Sequence, residues 1–215
     1  MTRWLSVGLA TAGLLLMPHA RAAALPLISE VYYDAVGSDD GLSFIELYGA
    51  PGTDLGGYLL EGINGSNGDV VPSLVLAGTI PSDGFFVVAD GLSDGSTLVS
   101  QADLILNFDL QNGPDSVQLL SPTGAIVDAV GYGVFAVGEI FAGEGTPTVD
   151  PAAGTAIARM FADVDTDQNA PDFGAAAPSP GVGALASVPE PGTGLLLAGG
   201  LAGLARGGRP RSRRA

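Results

Sequence analysis

The sequence predicts an all-β fold in which antiparallel strands form a β-sandwich. Short runs rich in Val, Ile, Leu, Tyr and Phe recur along the middle of the chain, separated by turn pairs such as Asn64-Gly65 and Thr123-Gly124. Asn before Gly supplies the positive φ angles of tight turns, and evenly spaced short strands are typical of sandwiches. No window of ten or more residues in this region has a helical period. The predicted strands are residues 27–33, 43–48, 57–63, 73–76, 84–89, 104–108, 116–120, 125–132 and 155–161.

The N-terminus predicts export from the cytoplasm. Residues 1–24 contain Arg3, then an apolar run, then a stretch of small residues at positions 20–24. This order is typical of a secretory signal peptide, here with an N-terminal signal helix and cleavage after Ala22 or Ala24. The chain has no cysteine, so disulfides contribute nothing to its stability outside the cytoplasm.

The remainder of the chain divides into three parts. Residues 25–177 have the size of one domain with its own core. Residues 178–187 are rich in Ala, Pro, Gly and Ser, which predicts a flexible linker. Residues 188–215 form a tail of different composition.

The tail has three segments in a defined order. Val188-Pro189-Glu190-Pro191 comes first, residues 192–205 are uncharged, and residues 206–215 are basic. Arginines favour the anionic cytoplasmic leaflet and resist translocation, so this order predicts a short C-terminal membrane helix that stops in the inner membrane. Its 14 apolar residues would span about 21 Å of a core about 30 Å thick, which suits a transient stop better than a permanent anchor. The basic residues are Arg206, Arg209, Arg211, Arg213 and Arg214.

This tail closely resembles the PEP-CTERM sorting signal of Gram-negative bacteria. The resemblance implies recognition and processing by a membrane-embedded exosortase-type enzyme. It implies anchoring in the inner membrane before processing, then release to the cell surface or extracellular matrix. Because proteins with this signal are associated with exopolysaccharide and biofilm production, it also implies a matrix polysaccharide as a partner.

The charge of the middle region excludes one class of partner. Residues 25–187 hold 22 acidic residues and a single basic one, Arg159, for a net charge of −21. Nucleic-acid binding through phosphates needs clustered Lys and Arg, so it is excluded, and binding to anionic lipid head groups is disfavoured. Divalent cations and neutral polysaccharides are compatible with this charge. The alternative interpretation is that the charge only keeps an exported protein soluble.

A second set of motifs runs in order through residues 26–181. They are Leu27-Ile28-Ser29-Glu30-Val31, Ser43-Phe44-Ile45-Glu46-Leu47-Tyr48, Phe86-Val87-Val88-Ala89, Gly124-Ala125-Ile126-Val127-Asp128, Arg159, Asp172-Phe173 and Pro178-Ser179-Pro180-Gly181. In this order they resemble the lamin-tail domain of nuclear lamins and many secreted bacterial proteins. The resemblance implies an antiparallel immunoglobulin-like β-sandwich, flanked here by the signal helix and the membrane helix. In bacteria such a domain is usually an accessory module.

Two glutamates interrupt apolar strand patterns. Glu30 follows Ile28 by two residues and Glu46 follows Phe44 by two, so strand alternation predicts each glutamate on the same face as an apolar neighbour. A partly buried carboxylate needs a partner. Because Arg159 is the one basic residue of the domain, we expect it to form a structural ion pair with Glu46 or Glu30.

An acidic run near the end of the domain is the main candidate metal site, and Asp34, Asp39 and Asp40 form a second acidic cluster after the first strand. Asp163, Asp165, Asp167 and Asn169 alternate along the chain and would present oxygen ligands to Ca²⁺. The run lacks the glycine and the final glutamate of an EF-hand loop. The alternative interpretation is a solvated loop of Asx turns that closes the sandwich.

The residue inventory favours a non-enzymatic protein. The only histidine, His19, lies in the signal peptide, and lysine and cysteine are absent from the chain. The domain therefore lacks an imidazole base and a thiol or amine nucleophile, and no cofactor beyond Ca²⁺ is indicated. The sequence predicts an exported binding or structural module. The alternative is a carboxylate-based or Ca²⁺-dependent hydrolase of extracellular polymer. Exposed aromatic residues would favour glycan binding, with Tyr32, Tyr33, Phe135 and Phe141 as candidates.

Overall fold

The computed structural model describes residues 25–186, which form ten strands and one short helix. The predicted signal helix and C-terminal membrane helix both lie outside these residues. Between residues 25 and 186, none of the helical structure is long and apolar enough to cross a membrane. In chain order the elements are β1 Leu27–Tyr32, β2 Phe44–Tyr48, β3 Leu59–Asn64, β4 Val70–Val75, β5 Phe85–Asp90, β6 Leu104–Leu106, β7 Asp115–Leu120, β8 Ile126–Tyr132, β9 Ala156–Arg159, α1 Asn169–Asp172 and β10 Phe173–Ala176.

The strands form two sheets. The first has the order β10-β9-β1-β2-β5-β6, and the second has the order β4-β3-β7-β8. The prediction of an all-β, sandwich-like fold is therefore confirmed. One pair departs from the expected antiparallel arrangement, because β6 runs parallel to β5. A parallel pair cannot be joined by a tight turn, and residues 91–103 supply the longer connection.

A single apolar core joins the sheets. Strands of the six-stranded sheet contribute residues such as Ile45 and Val88, and the four-stranded sheet contributes residues such as Leu119 and Val130, all essentially inaccessible to solvent. Burial of each such side chain contributes roughly 1.5–3 kcal/mol. The alternating apolar residues that predicted the strands thus provide the surface on which the two sheets pack.

Each of the nine predicted runs overlaps one of strands β1 to β9. The predicted hairpin at Thr123-Gly124 is also correct, because it joins β7 to β8 and Gly124 has a φ of 80°. Strand β10 was not predicted, since its sequence Phe-Gly-Ala-Ala carries little β-propensity. It forms because it pairs with β9 along its full length.

The predicted flexible linker is the main correction to the domain boundaries. Residues 177–186, called here the C-terminal segment, are hydrogen-bonded to the sandwich. The backbone N–H of Ala162 donates to the carbonyl of Ala184 at 2.7 Å, and the Gln101 amide donates to the Pro180 carbonyl at 3.0 Å. The N–H of Ala186 donates to Asp163 at 2.7 Å. The described domain therefore extends to residue 186, and only residue 187 of the predicted linker lies outside the described residues.

Candidate functional site

Arg159, the last residue of β9, is the centre of a buried ionic cluster. Its side chain is 1% exposed and forms salt bridges with Asp128 at 2.7 Å and with Asp165 and Asp172 at 3.3 Å. The guanidinium carbon also lies 4.4 Å from the centre of the Phe173 ring, a cation–π distance. Since Asp128 belongs to β8 of the other sheet, Arg159 links the two sheets and the loop that follows β9.

The structure corrects the predicted pairing of Arg159 with Glu46 or Glu30. Glu30 lies directly opposite Ala158 in the β1–β9 ladder, so the Glu30 side chain shares a face with Ala158 and Arg159 points to the other face. The alternation that placed Glu30 on the core side fails because the register shifts between Ile28 and Glu30. Both glutamates therefore lie on the outer face of the six-stranded sheet.

Glu30 and Glu46 bind the C-terminal segment instead of a cation. The backbone N–H and the hydroxyl of Ser179 each donate to one oxygen of Glu30, both at 2.9 Å. The backbone N–H of Gly181 donates to Glu46 Oε2, and the Ser29 hydroxyl donates to Glu46 Oε1 at 2.6 Å. All four carboxylate oxygens are thus engaged by the chain itself. These two buried residues attach the C-terminal segment to the sheet.

Burial changes the proton affinity of both glutamates. Loss of hydration raises the pKa of Glu30 from 4.5 to about 7, and it also raises the pKa of Glu46. The two residues line a groove of about 530 Å³ together with Met160 and Val182. Both glutamates are nevertheless only 1% exposed.

The acidic run does not gather its members around one point. Asp163 accepts the N–H of Ala186, and Asp165 accepts the N–H of Asp167 in an Asx turn at 3.1 Å. The amide oxygen of Asn169 accepts two backbone N–H groups, so both of its lone pairs are used. This geometry favours the loop of Asx turns over a Ca²⁺ site built from these four residues.

Asn169 is a buried structural residue. Its amide oxygen accepts the N–H groups of Gly131 at 2.9 Å and Glu144 at 2.8 Å, and its amide nitrogen donates to the carbonyl of Ala129 at 2.7 Å. Residues 133–155, called here the long loop, contain Glu144. Asn169 therefore fixes the long loop against β8.

A carboxylate cluster that the sequence did not predict lies beside Arg159. One carboxylate oxygen from each of Asp128, Glu144 and Asp165 lies within 4.8 Å of the other two. Asp128 is fully buried, yet its Oδ1 has no hydrogen-bond partner, and neither has Glu144 Oε2. Burial, together with the nearby charges of Asp128 and Asp165, raises the pKa of Glu144 to about 7. One signal was available in the sequence, because Asp128 interrupts the apolar run of β8 as Glu46 interrupts that of β2.

The candidate aromatic residues do not form one exposed patch. Tyr33 is buried and stacks on Tyr132 with ring centres 4.4 Å apart. Phe135 and Phe141 of the long loop meet edge to face at 5.2 Å and are half-buried. They line a shallow, mostly apolar groove with neighbours that include Pro147. Two of the four candidates therefore lie together on a surface that a ligand can reach.

The fold and the site define the class of protein as an acidic β-sandwich. A buried ionic cluster around Arg159 links its two sheets, and a C-terminal tail of different composition follows the domain. Residues 187–213 of that tail match the PEP-CTERM protein-sorting motif. The match confirms the resemblance seen in the sequence. It marks the chain as exported, anchored in the membrane before processing and sorted by an exosortase-type enzyme. No curated protein and no solved structure matched the chain.

Proposed function

We propose that this protein is a non-enzymatic module of the cell surface or extracellular matrix, delivered there by its sorting tail. The observation that carries the proposal is the match of residues 187–213 to the PEP-CTERM protein-sorting motif. The charge of −21 on residues 25–187 keeps such a module soluble and steers it away from nucleic acid. The place of work is the surface or matrix of a Gram-negative bacterium.

The non-enzymatic assignment is supported by the state of the buried glutamates. A carboxylate-based hydrolase would need a free acid and a free base or nucleophile facing a cleft. Glu30 and Glu46 have raised pKa values, as the general acid of such a pair has, but their oxygens accept hydrogen bonds from Ser29, Ser179 and Gly181. This use of all four oxygens favours a structural role over hydrolysis.

We also propose that the sandwich is a lamin-tail-like domain with an immunoglobulin-like arrangement. The order of the sequence motifs supports this assignment, together with the packing of a six-stranded and a four-stranded sheet around one core. In this role the domain is an accessory module rather than a catalyst. We expect the loops, which the rigid sandwich holds in place, to contact its ligand.

Changing the sorting motif is expected to block processing. In the native host, the unaltered protein should lose residues from about Val188 onward and be recovered outside the membrane fraction. The Glu190→Ala/Pro191→Ala variant should retain the tail and stay in the membrane fraction. Intact mass spectrometry of membrane and medium fractions measures both outcomes.

The matched control is Glu61→Gln, which alters a partly exposed glutamate of β3 far from the motif in sequence. This variant should be processed like the unaltered protein. Recovery of the unaltered protein only in the membrane, with a mass that extends to Ala215, would overturn the assignment to surface or matrix.

The partner class that we propose is a neutral polysaccharide, bound at the groove of Phe135 and Phe141. Aromatic faces stack on sugar rings, and an uncharged polymer avoids repulsion by the acidic domain. We expect retardation of the protein in gels that contain exopolysaccharide from the native host. The Phe135→Ala variant should lose most of that retardation.

Phe161→Ala is the control for this experiment, because Phe161 is an exposed phenylalanine that does not line the groove. It should be retarded like the unaltered protein. Equal mobility of all three proteins with and without polysaccharide would contradict the proposed partner, while leaving the sorting assignment intact.

A further inference from the structure

The carboxylate cluster of Asp128, Glu144 and Asp165 brings together three separate parts of the chain. Asp128 lies in β8, Glu144 in the long loop and Asp165 in the loop that follows β9. Their nearest oxygens lie within 4.8 Å of one another. Carboxylates at such distances repel each other, so their convergence needs a positive charge or a proton among them.

Two oxygens of this cluster have no hydrogen-bond donor. Asp128 Oδ2 is fully engaged, since it accepts from the Ile28 N–H at 2.6 Å and from Arg159 at 2.7 Å. Asp128 Oδ1 has no partner, although the residue is completely buried, and buried Glu144 Oε2 has none either. A buried oxygen without a partner destabilises the fold, and more so when it is charged. The site therefore has an unfilled requirement for a positive group.

No basic side chain of the described domain is left to fill it. Arg159 is the only basic residue between residues 25 and 186. Its guanidinium group already contacts Asp128, Asp165 and Asp172, and it also donates to the Val164 carbonyl at 3.1 Å. With Glu144 counted, four carboxylates face one guanidinium group. The cluster would carry an excess of negative charge if every acid were ionised.

We propose that Asp128, Glu144 and Asp165 bind a divalent cation of the Ca²⁺ type, with water at the remaining coordination positions. Ca²⁺ takes oxygen ligands at about 2.3–2.6 Å, so two of its ligands can stand up to about 5 Å apart. Mg²⁺ demands near-ideal octahedral geometry and gives up its water reluctantly, so three carboxylates from separate parts of the chain suit the more flexible coordination of Ca²⁺ better. An all-carboxylate site without histidine or cysteine also selects a hard cation.

This site differs from the one that the acidic run predicts. It shares Asp165 but replaces Asp163, Asp167 and Asn169 with two residues distant in sequence. A bound ion would tie the long loop to β8 and to the loop after β9. Because Phe135 and Phe141 belong to the same long loop, the ion would also hold the proposed ligand groove in place.

Calorimetric titration of the full-length, chelator-treated chain in detergent with CaCl₂ at pH 8 tests the proposal. We expect one Ca²⁺ to bind with a dissociation constant below 1 mM, and MgCl₂ to bind at least tenfold more weakly. A concentration of 100 times the dissociation constant should then stabilise the fold by about 2.7 kcal/mol, visible as a higher melting temperature. The Glu144→Gln variant should lose at least tenfold in affinity and most of the thermal shift.

Two control variants separate this site from its neighbours. Glu139→Gln alters another glutamate of the long loop, and Asp163→Asn alters a member of the acidic run outside the cluster. Both should bind Ca²⁺ like the unaltered protein. The proposal is overturned if the unaltered protein shows neither heat of binding nor a thermal shift at 10 mM CaCl₂, in which case a proton on Glu144 satisfies the cluster. It is equally overturned if Asp163→Asn abolishes binding while Glu144→Gln does not.

Discussion

The Arg159→Ala substitution is expected to lower the free energy of unfolding by about 3–5 kcal/mol. Removing the guanidinium group leaves Asp128 fully buried without its counter-charge and removes two further salt bridges. It also removes the cation–π contact with Phe173. Urea denaturation should show the loss, and the melting temperature should fall by on the order of 10 °C.

A comparison within the same cluster distinguishes burial from simple charge removal. Asp165 is an exposed member that lies 3.3 Å from Arg159, so Asp165→Asn should cost no more than about 1 kcal/mol. Arg159→Lys should lie between the two variants, because lysine keeps the charge but cannot reproduce the forked geometry. Equal stabilities for Arg159→Ala and Asp165→Asn would show that the cluster does not organise the fold.

The stability of the domain is expected to fall as the pH rises from about 5 to about 8. Burial raises the pKa of Glu30 from 4.5 to about 7, so between these values the folded state binds more protons than the unfolded state. Stability linked to this group is therefore complete below pH 4.5 and is lost as the pH rises through 7. At about 1.4 kcal/mol for each pH unit, the change from Glu30 alone amounts to no more than about 3 kcal/mol. Glu46, whose pKa is raised by the same cause, acts in the same direction.

Urea midpoints measured at several pH values test this expectation. The Glu30→Gln variant carries a neutral amide at every pH and should show a flatter dependence than the unaltered protein. Glu61→Gln, a substitution of the same chemistry on β3, should keep the original slope. If Glu30→Gln leaves the slope unchanged, the dependence arises from other acids, such as Glu46 and Glu144, or from the overall negative charge of the domain, and not from Glu30.

The sequence predicted strands well because a two-residue alternation is a local property. Runs such as those containing Ile45 and Val130 predict a strand without reference to the rest of the chain. Strand β10 and the parallel pairing of β6 are different, since both depend on a partner strand far away in sequence. The docking of residues 177–186 was missed for the same reason. Their composition, mostly Ala, Pro and Gly, is that of a linker, and the buried Glu30 and Glu46 hold them in place.

The partners of the residues in the candidate site also depend on contacts between distant parts of the chain. Counting charges predicted that Arg159 would pair with an acidic residue, because it is the only basic residue of the domain. A register shift in β1 moved Glu30 to the outer face, and Glu46 lies opposite it on the same face. Asp128 of the other sheet is therefore the acid that pairs with Arg159 at 2.7 Å. A register shift of one residue moves every following side chain of a strand to the opposite face, and the local sequence around Ile28 does not predict such a shift. Glu144 was missed because its neighbours in space come from β8 and from the loop that follows β9.

The attachment of Ala186 has a consequence for how the processing enzyme reaches its target. Val188 follows Ala186 by two residues, and an extended chain covers only about 7 Å over that distance. A domain of this length has a radius of gyration of about 15 Å. The sandwich therefore lies close to the motif as long as Ala186 remains hydrogen-bonded to Asp163. An enzyme that binds Val188 to Pro191 in this state must have room for the sandwich beside its active site. Processing of this protein therefore depends on the space between the sandwich and the motif as well as on the motif itself. A bulky substitution at Asp163 would hinder cleavage without altering any residue of the motif.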